Sequence, residues 1–235
     1  MASGKLYLVP TLLGEGIDPH SQLPMAWWPT LEHIRHFAVE DVRSARRFLR
    51  GLFKQFPIDD SQFYPIGKHG SAENQTIISA CSRGFDVAVL SEAGCPGIAD
   101  PGAHLVAMAH QNNVEVVPWV GPSSILLALM ASGMNGQQFA FRGYLPVQNA
   151  ERKQKIKWME GLVERTGETQ LFIETPFRNE SMVAALKEIL KPTTLMGVAV
   201  DLGMPSQVIR VQTAGAFQLP GLHKRPAVFF MGRSF

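Results

Sequence analysis

The feature that most constrains this chain is a pair of strand-like segments, the nearly continuous apolar run 85–90 and residues 113–118, each ending in a loop rich in glycine and proline that gives way to helical spacing. A short, nearly continuous apolar run suits a strand covered on both faces, as in a parallel sheet packed between helices. The repeated order of strand, loop and helix therefore predicts a parallel α/β lobe whose functional loops follow the strand ends. Residues 5–9 supply a first strand that stops at Pro10, where the missing amide hydrogen prevents ordinary ladder continuation.

The same reading extends along the chain. A helix is expected over residues 28–37, running into a short strand at 36–39. Over 41–53, Val42, Ala45, Phe48, Leu49 and Leu52 recur at intervals of three and four and so share one helix face. A helix starts at Glu73, where Ser71 ahead of it fits a capping box only in part. Residues 102–111 return to helical spacing. After Phe139 the rhythm changes to a strand through Tyr144, a basic helix over 151–166, a helix over 181–191, and strands at 169–174, 195–201, 207–212 and 227–231. The expected division is a first lobe over 1–137 and a second over 138–235.

With 235 residues, 46% of them hydrophobic and 18% charged, the chain can bury a substantial core. Its net charge of +2 supplies no global field for nucleic acid, so any RNA contact must use a local patch. Arg43, Arg46, Arg47, Arg50 and Lys54 form one candidate stripe, equally readable as a solvated helix face. Cys81 and Cys95 are too few for a disulfide framework and lack zinc-ligand spacing; reduced thiols, a cytoplasmic setting and no metal are expected. No charge lies between Glu115 and Arg142, but Pro118, Gly121 and Pro122 break that window, so a buried loop and core helix is expected rather than a membrane span.

Two loops carry the chemistry. Ser91-Glu92-Ala93-Gly94-Cys95-Pro96-Gly97-Ile98-Ala99-Asp100-Pro101-Gly102 follows a strand and precedes a helix. Its glycines permit close backbone approach, while Glu92 and Asp100 can accept hydrogen bonds. On chemistry alone it is either a ligand loop or simply a rigid turn. Pro118-Trp119-Val120-Gly121-Pro122-Ser123-Ser124 is placed in the same way, its serines able to cap a helix or to anchor polar ligand atoms. His69, in Gly67-Lys68-His69-Gly70, is a loop histidine able to move a proton or to do nothing catalytic.

These segments resemble known ones. Residues 91–102 look like S-D-A-G-T-P followed by D-P-G, and 116–146 look like V-V-P-x-x-G-P-S, an apolar helix, A-S-G-L and G-F-L-P. Residues 6–11 are similar to L-Y-x-V-P-T, 40–43 to E-D-x-R, and 174–178 to E-S-x-H-R. Taken in order, they make the chain resemble the tetrapyrrole methylase-like superfamily of S-adenosylmethionine-dependent methyltransferases, closest to its branch acting on the ribose 2′-hydroxyl of a small-subunit ribosomal RNA cytidine.

The resemblance implies an α/β fold of two lobes, a parallel first sheet and a mixed second one, with S-adenosyl-L-methionine in a cleft between them and a homodimer. It implies donor contacts from Pro10, Glu92, Ala93, Gly94, Ile98, Ser123, Ser124, Thr175 and Ala227. For acceptor positioning or proton transfer the polar candidates are Glu40, Asp41, Arg43, Glu174 and Arg178, with Asp41 as base and the arginines on phosphates; each can equally be a salt-bridge partner. Ribosomal RNA or the small subunit is the implied partner. A tetrapyrrole or other small acceptor, or donor binding without turnover, remains open, because Glu15, Phe177 and Asp201 depart from the branch pattern.

Overall fold

Alternating apolar and helical segments fold into two units, Met1–Ser123 and Ser124–Phe235. The computed structural model describes residues 3–67 and 73–234; His69 and Ser71 lie outside them.

The first unit runs β1 (Leu6–Val9), α1 (Trp28–His33), β2 (His36–Val39), α2 (Val42–Leu52), β3 (Gln62–Pro65), α3 (Glu73–Ser82), β4 (Val87–Leu90), α4 (Ala103–Gln111) and β5 (Val116–Pro118). The strands form one parallel sheet in the order β3-β2-β4-β1-β5. β4 shows why its sequence is apolar throughout. Ala88 and Leu90 enter a core with Phe37, Leu31 and Leu49, whereas Val87 and Val89 enter a second core with Ile77, Ile78 and Leu105. Alternate side chains thus feed opposite faces, and both faces are covered.

α1 stops at His33, short of the expected residue 37. Ile34 takes up extended backbone, with φ −70° and ψ 139°, and its amide closes the helix on the Leu31 carbonyl. β3 escapes the apolar-run signal because it is a short edge strand, Gln-Phe-Tyr-Pro, with exposed and half-buried positions and a terminal proline.

The second unit contains α5 (Ser124–Ser132), β6 (Phe139–Tyr144), α6 (Asn149–Thr166), β7 (Thr169–Ile173), α7 (Asn179–Ile189), β8 (Leu195–Val200), β9 (Val208–Thr213) and β10 (Ala227–Gly232). Its sheet is mixed, in the order β6-β7-β10-β8-β9, with β6 and β7 parallel and the remaining pairs antiparallel. α6 and α7 contribute Ile156, Met159, Met182 and Leu186 to a core with Phe172 and Phe229, whose rings stack 5.4 Å apart across paired strands. The structural division after Ser123 differs from the expected one at 137/138 because α5 packs against β8, β9 and β10. The charge-free window resolves into β5, a loop, α5 and the start of β6. Among the described residues no helix is long and apolar enough to cross a membrane.

Candidate functional site

In the first sheet the chain leaves β1 for β2, on the far side of β4, and leaves β4 for β5, on the far side of β1. The carboxyl-end loops of these neighbouring strands therefore depart in opposite directions and leave a crevice, the place where open parallel sheets receive ligands.

Hydrogen bonds knit the two loops together. Thr11 N donates to Gly94 O at 2.9 Å, and Gly94 N returns to Thr11 O at 3.3 Å. Thr11 Oγ1 donates to Ser91 O at 3.1 Å and Ser91 Oγ to Gly94 O at 2.8 Å, so both buried hydroxyls are spent on holding the turn. Gly94 has φ +76°, a region costly for a residue with a Cβ. The third loop joins through Cys95, whose Sγ donates to Pro122 O at 3.4 Å, and through Gly121, which packs directly on the Pro10 ring. Trp27 stacks on Trp119 at 4.8 Å, and its Nε1 donates to Val120 O at 3.3 Å, pinning that loop to the first unit.

A cavity of about 1060 Å³ opens between the loop after β1, the loop after β4 and one side of α2 from Ser44 to Gly51. Leu12, Ile17, Phe48 and Leu90 provide apolar wall; Glu15, Asp18, Glu92 and Arg47 bring charge. Three carboxylates against one guanidinium leave the lining acidic.

The structure gathers part of the expected set here. Glu92 and Ala93 line the cavity, while Pro10, outside the lining, packs against Gly121 and Gly94 bridges the loops. Ile98 lies further along the loop, 53% exposed, and Ser123 closes the first unit. Asp41 is the N-cap of α2: its Oδ1 accepts from Ser44 N at 2.8 Å, and that bond holds its carboxyl below the usual carboxylate range. A carboxylate so engaged is a weakened proton acceptor. Arg43 is exposed and outside the lining, which takes Arg47 from the same stripe instead. Of the five cations in the stripe, the spacing Ser44, Arg47, Gly51 marks the one on the cavity face.

In the second unit the other candidates stand where β7 ends and β10 begins. Glu174, almost wholly buried, lies 2.8 Å from Arg178 as an ion pair, and its Oε1 accepts from Thr175 N at 2.7 Å. Thr175 is exposed, while Ala227 is buried in register with Val200. Beside them Asn179 Nδ2 donates to Leu222 O and Arg225 O, and Arg225 pairs with Asp201 at 2.8 Å. Asp201 also accepts from Ser206 Oγ. Phe177, in the position of a family histidine, is 68% exposed with its ring edge towards His223. Nothing in the sequence pattern announced Asn179 or Arg225; both bond across long chain separations.

The fold and crevice define a class of α/β proteins with a parallel sheet in one unit, a mixed sheet in the other and a preformed cavity at the first sheet's switch point. The profile of the tetrapyrrole (corrin/porphyrin) methylases matches residues 16–218, and the chain belongs to that family. It is 33% identical over 173 residues to the ribosomal RNA small subunit methyltransferase I of Vibrio cholerae, covering 74% of this chain and 56% of that protein. To the protein of the same name from Pseudomonas aeruginosa it is 30% identical over 210 residues, or 89% of this chain and 70% of that one. The chain thus spans little more than half the length of the Vibrio relative. A crystal structure of uroporphyrin-III-C-methyltransferase from Thermus thermophilus shares the fold at 20% identity, with a TM-score of 0.57 over 97% of this chain and 92% of that one.

Proposed function

We propose that this protein transfers a methyl group from S-adenosylmethionine to the ribose 2′-hydroxyl of a cytidine in small-subunit ribosomal RNA. The observation that carries the reading is the similarity, along 89% of the chain, to a protein named ribosomal RNA small subunit methyltransferase I. On the family's pattern the protein works as a cytoplasmic homodimer.

The first unit's residues fit the donor. Glu92, at the end of a parallel strand, is placed to accept hydrogen bonds from ribose hydroxyls and to offset a positive charge. Gly94, buried and bonded through both backbone groups to Thr11, holds the turn behind it, and Pro10, Ala93, Gly94, Ile98 and Ser123 complete the first unit's proposed contacts. The bound donor would supply an electrophilic methyl on a sulfonium. The chain's own work is alignment: loops tied by Thr11, Ser91 and Gly94 hold their backbone before any ligand arrives, so little ordering is left to the reaction.

The alternative acceptor, a tetrapyrrole, is a polycarboxylate in its biosynthetic precursors. A cavity lined by three carboxylates and one cation suits it poorly, whereas one nucleotide brings a single phosphate for that one cation. The test is transfer of a radiolabelled methyl group to small-subunit particles from cells lacking the gene and, in parallel, to uroporphyrinogen III. Label in a ribosomal RNA ribose supports the reading. Label in the tetrapyrrole alone, or donor binding by calorimetry with no transfer, overturns it.

A further inference from the structure

We propose that Arg47 is the seat for a phosphate of the acceptor strand and that Glu15 is its built-in competitor, a carboxylate that fills the seat until a phosphodiester displaces it. The proposal rests on the RNA reading above and names the residue that meets the acceptor's backbone.

Arg47 is the single cation lining the cavity among the described residues, so an anion entering there has one place to go. That place is taken: Arg47 Nη1 lies 3.3 Å from Glu15 Oε1. The pair is open to water, with side chains 72% and 93% exposed, and such pairs hold weakly. A phosphodiester offers the planar guanidinium two oxygens in the geometry it favours, which makes it the stronger partner. Glu15 sits between Gly14 and Gly16, and no atom lies within 4 Å of a Cβ built on Gly16, so nothing packed blocks the carboxylate's departure. On α2, Ser44, Arg47 and Gly51 follow at intervals of three and four and all line the cavity. Space at Gly51, likewise empty to 4 Å, leaves a track beside the guanidinium along which a strand can lie, with the Phe48 side chain as apolar wall for its base.

The experiment titrates the full chain into a fluorescein-labelled twelve-nucleotide oligocytidylate by anisotropy at several salt concentrations. Methyl transfer to small-subunit particles is measured beside it. Arg47→Gln should weaken oligonucleotide binding about 5–10-fold and flatten the log affinity against log salt slope by about 0.7. Glu15→Gln should tighten binding about 3-fold at low salt and lower the acceptor KM. In an Arg47→Gln background Glu15→Gln should change nothing, and Arg47→Lys should recover part of the affinity. A Glu15→Gln gain that survives the loss of Arg47, or an Arg47→Gln chain with unaltered affinity and slope, overturns the proposal. Transfer to RNA that is indifferent to both residues keeps the RNA reading and removes the clamp. Arg47-dependent binding without transfer keeps the clamp and removes the reading.

Discussion

Gly121 lies so close to Pro10 that a methyl group on it would sit 2.5 Å from the proline Cγ and nearer still to its Cβ. The contact fixes the loop after β5 against the end of β1, and the ring cannot bend away. Gly121→Ala should therefore destabilise the protein by about 1–3 kcal/mol, the usual cost of forcing extra carbon into packed space. At this chain length that is a fall of about 2–4 °C in Tm per kcal/mol. Donor affinity by calorimetry should fall with it. An alanine variant melting with the parent would mean that the two loops are not in contact.

Asp41 is a candidate proton acceptor or salt-bridge partner by its place in the sequence, and its carboxylate caps the first turn of α2. The two roles separate by substitution. Asparagine caps a helix about as well as aspartate, and alanine does not. Asp41→Asn should leave Tm within about 1 °C of the parent and keep methyl transfer, whereas Asp41→Ala should lower Tm by about 2–4 °C. Loss of turnover in Asp41→Asn with an unchanged melting curve would restore the base.

The contrast between these two sites shows what the sequence could disclose. β4 and its loop were legible because full burial demands an unbroken apolar run and a tight turn demands glycine and proline, both of them local signals. The arginine stripe was legible as a stripe. Which arginine meets the cavity was not, because the loop that faces it, with Glu15 at 3.3 Å from Arg47, comes 32 residues earlier in the chain. The boundary after Ser123 failed to show for the same kind of reason. α5 carries no charge and would suit either lobe; its partners on β8, β9 and β10 decide, and they come at least sixty residues later. Glu174 and Arg178 were each visible as a possible salt-bridge partner, but not that they pair with one another, nor that Glu174 is almost completely buried.

That burial carries its own prediction. Glu174→Gln keeps an oxygen for the Thr175 amide but removes the charge facing Arg178, itself 27% exposed. Water reaches the arginine, so the loss should fall below that of a fully buried pair, at about 1–3 kcal/mol. Arg178→Gln should cost a similar amount, and the double variant less than the sum, since the two act as a unit. Chemical denaturation of the four proteins measures this. Additive losses would show that the ion pair contributes nothing.

The two thiols should answer differently to pH. Burial pushes Cys81 up to about 11 from an ordinary 9.0, and raises Cys95, which stays partly accessible in the loop after β4. At pH 8 a thiol reagent should label Cys95 in the native protein and reach Cys81 only on unfolding. Because the folded state holds the Cys81 proton more tightly than the unfolded one, its contribution to stability is whole below pH 9. It declines as pH rises from 9 towards about 11, by at most about 1.4 kcal/mol per pH unit. Cys81→Ala should remove that part of the alkaline slope while leaving the slope below pH 9 as it was. Equal labelling of both cysteines at pH 8, or an identical alkaline slope in the variant, would place Cys81 in water rather than beneath α3.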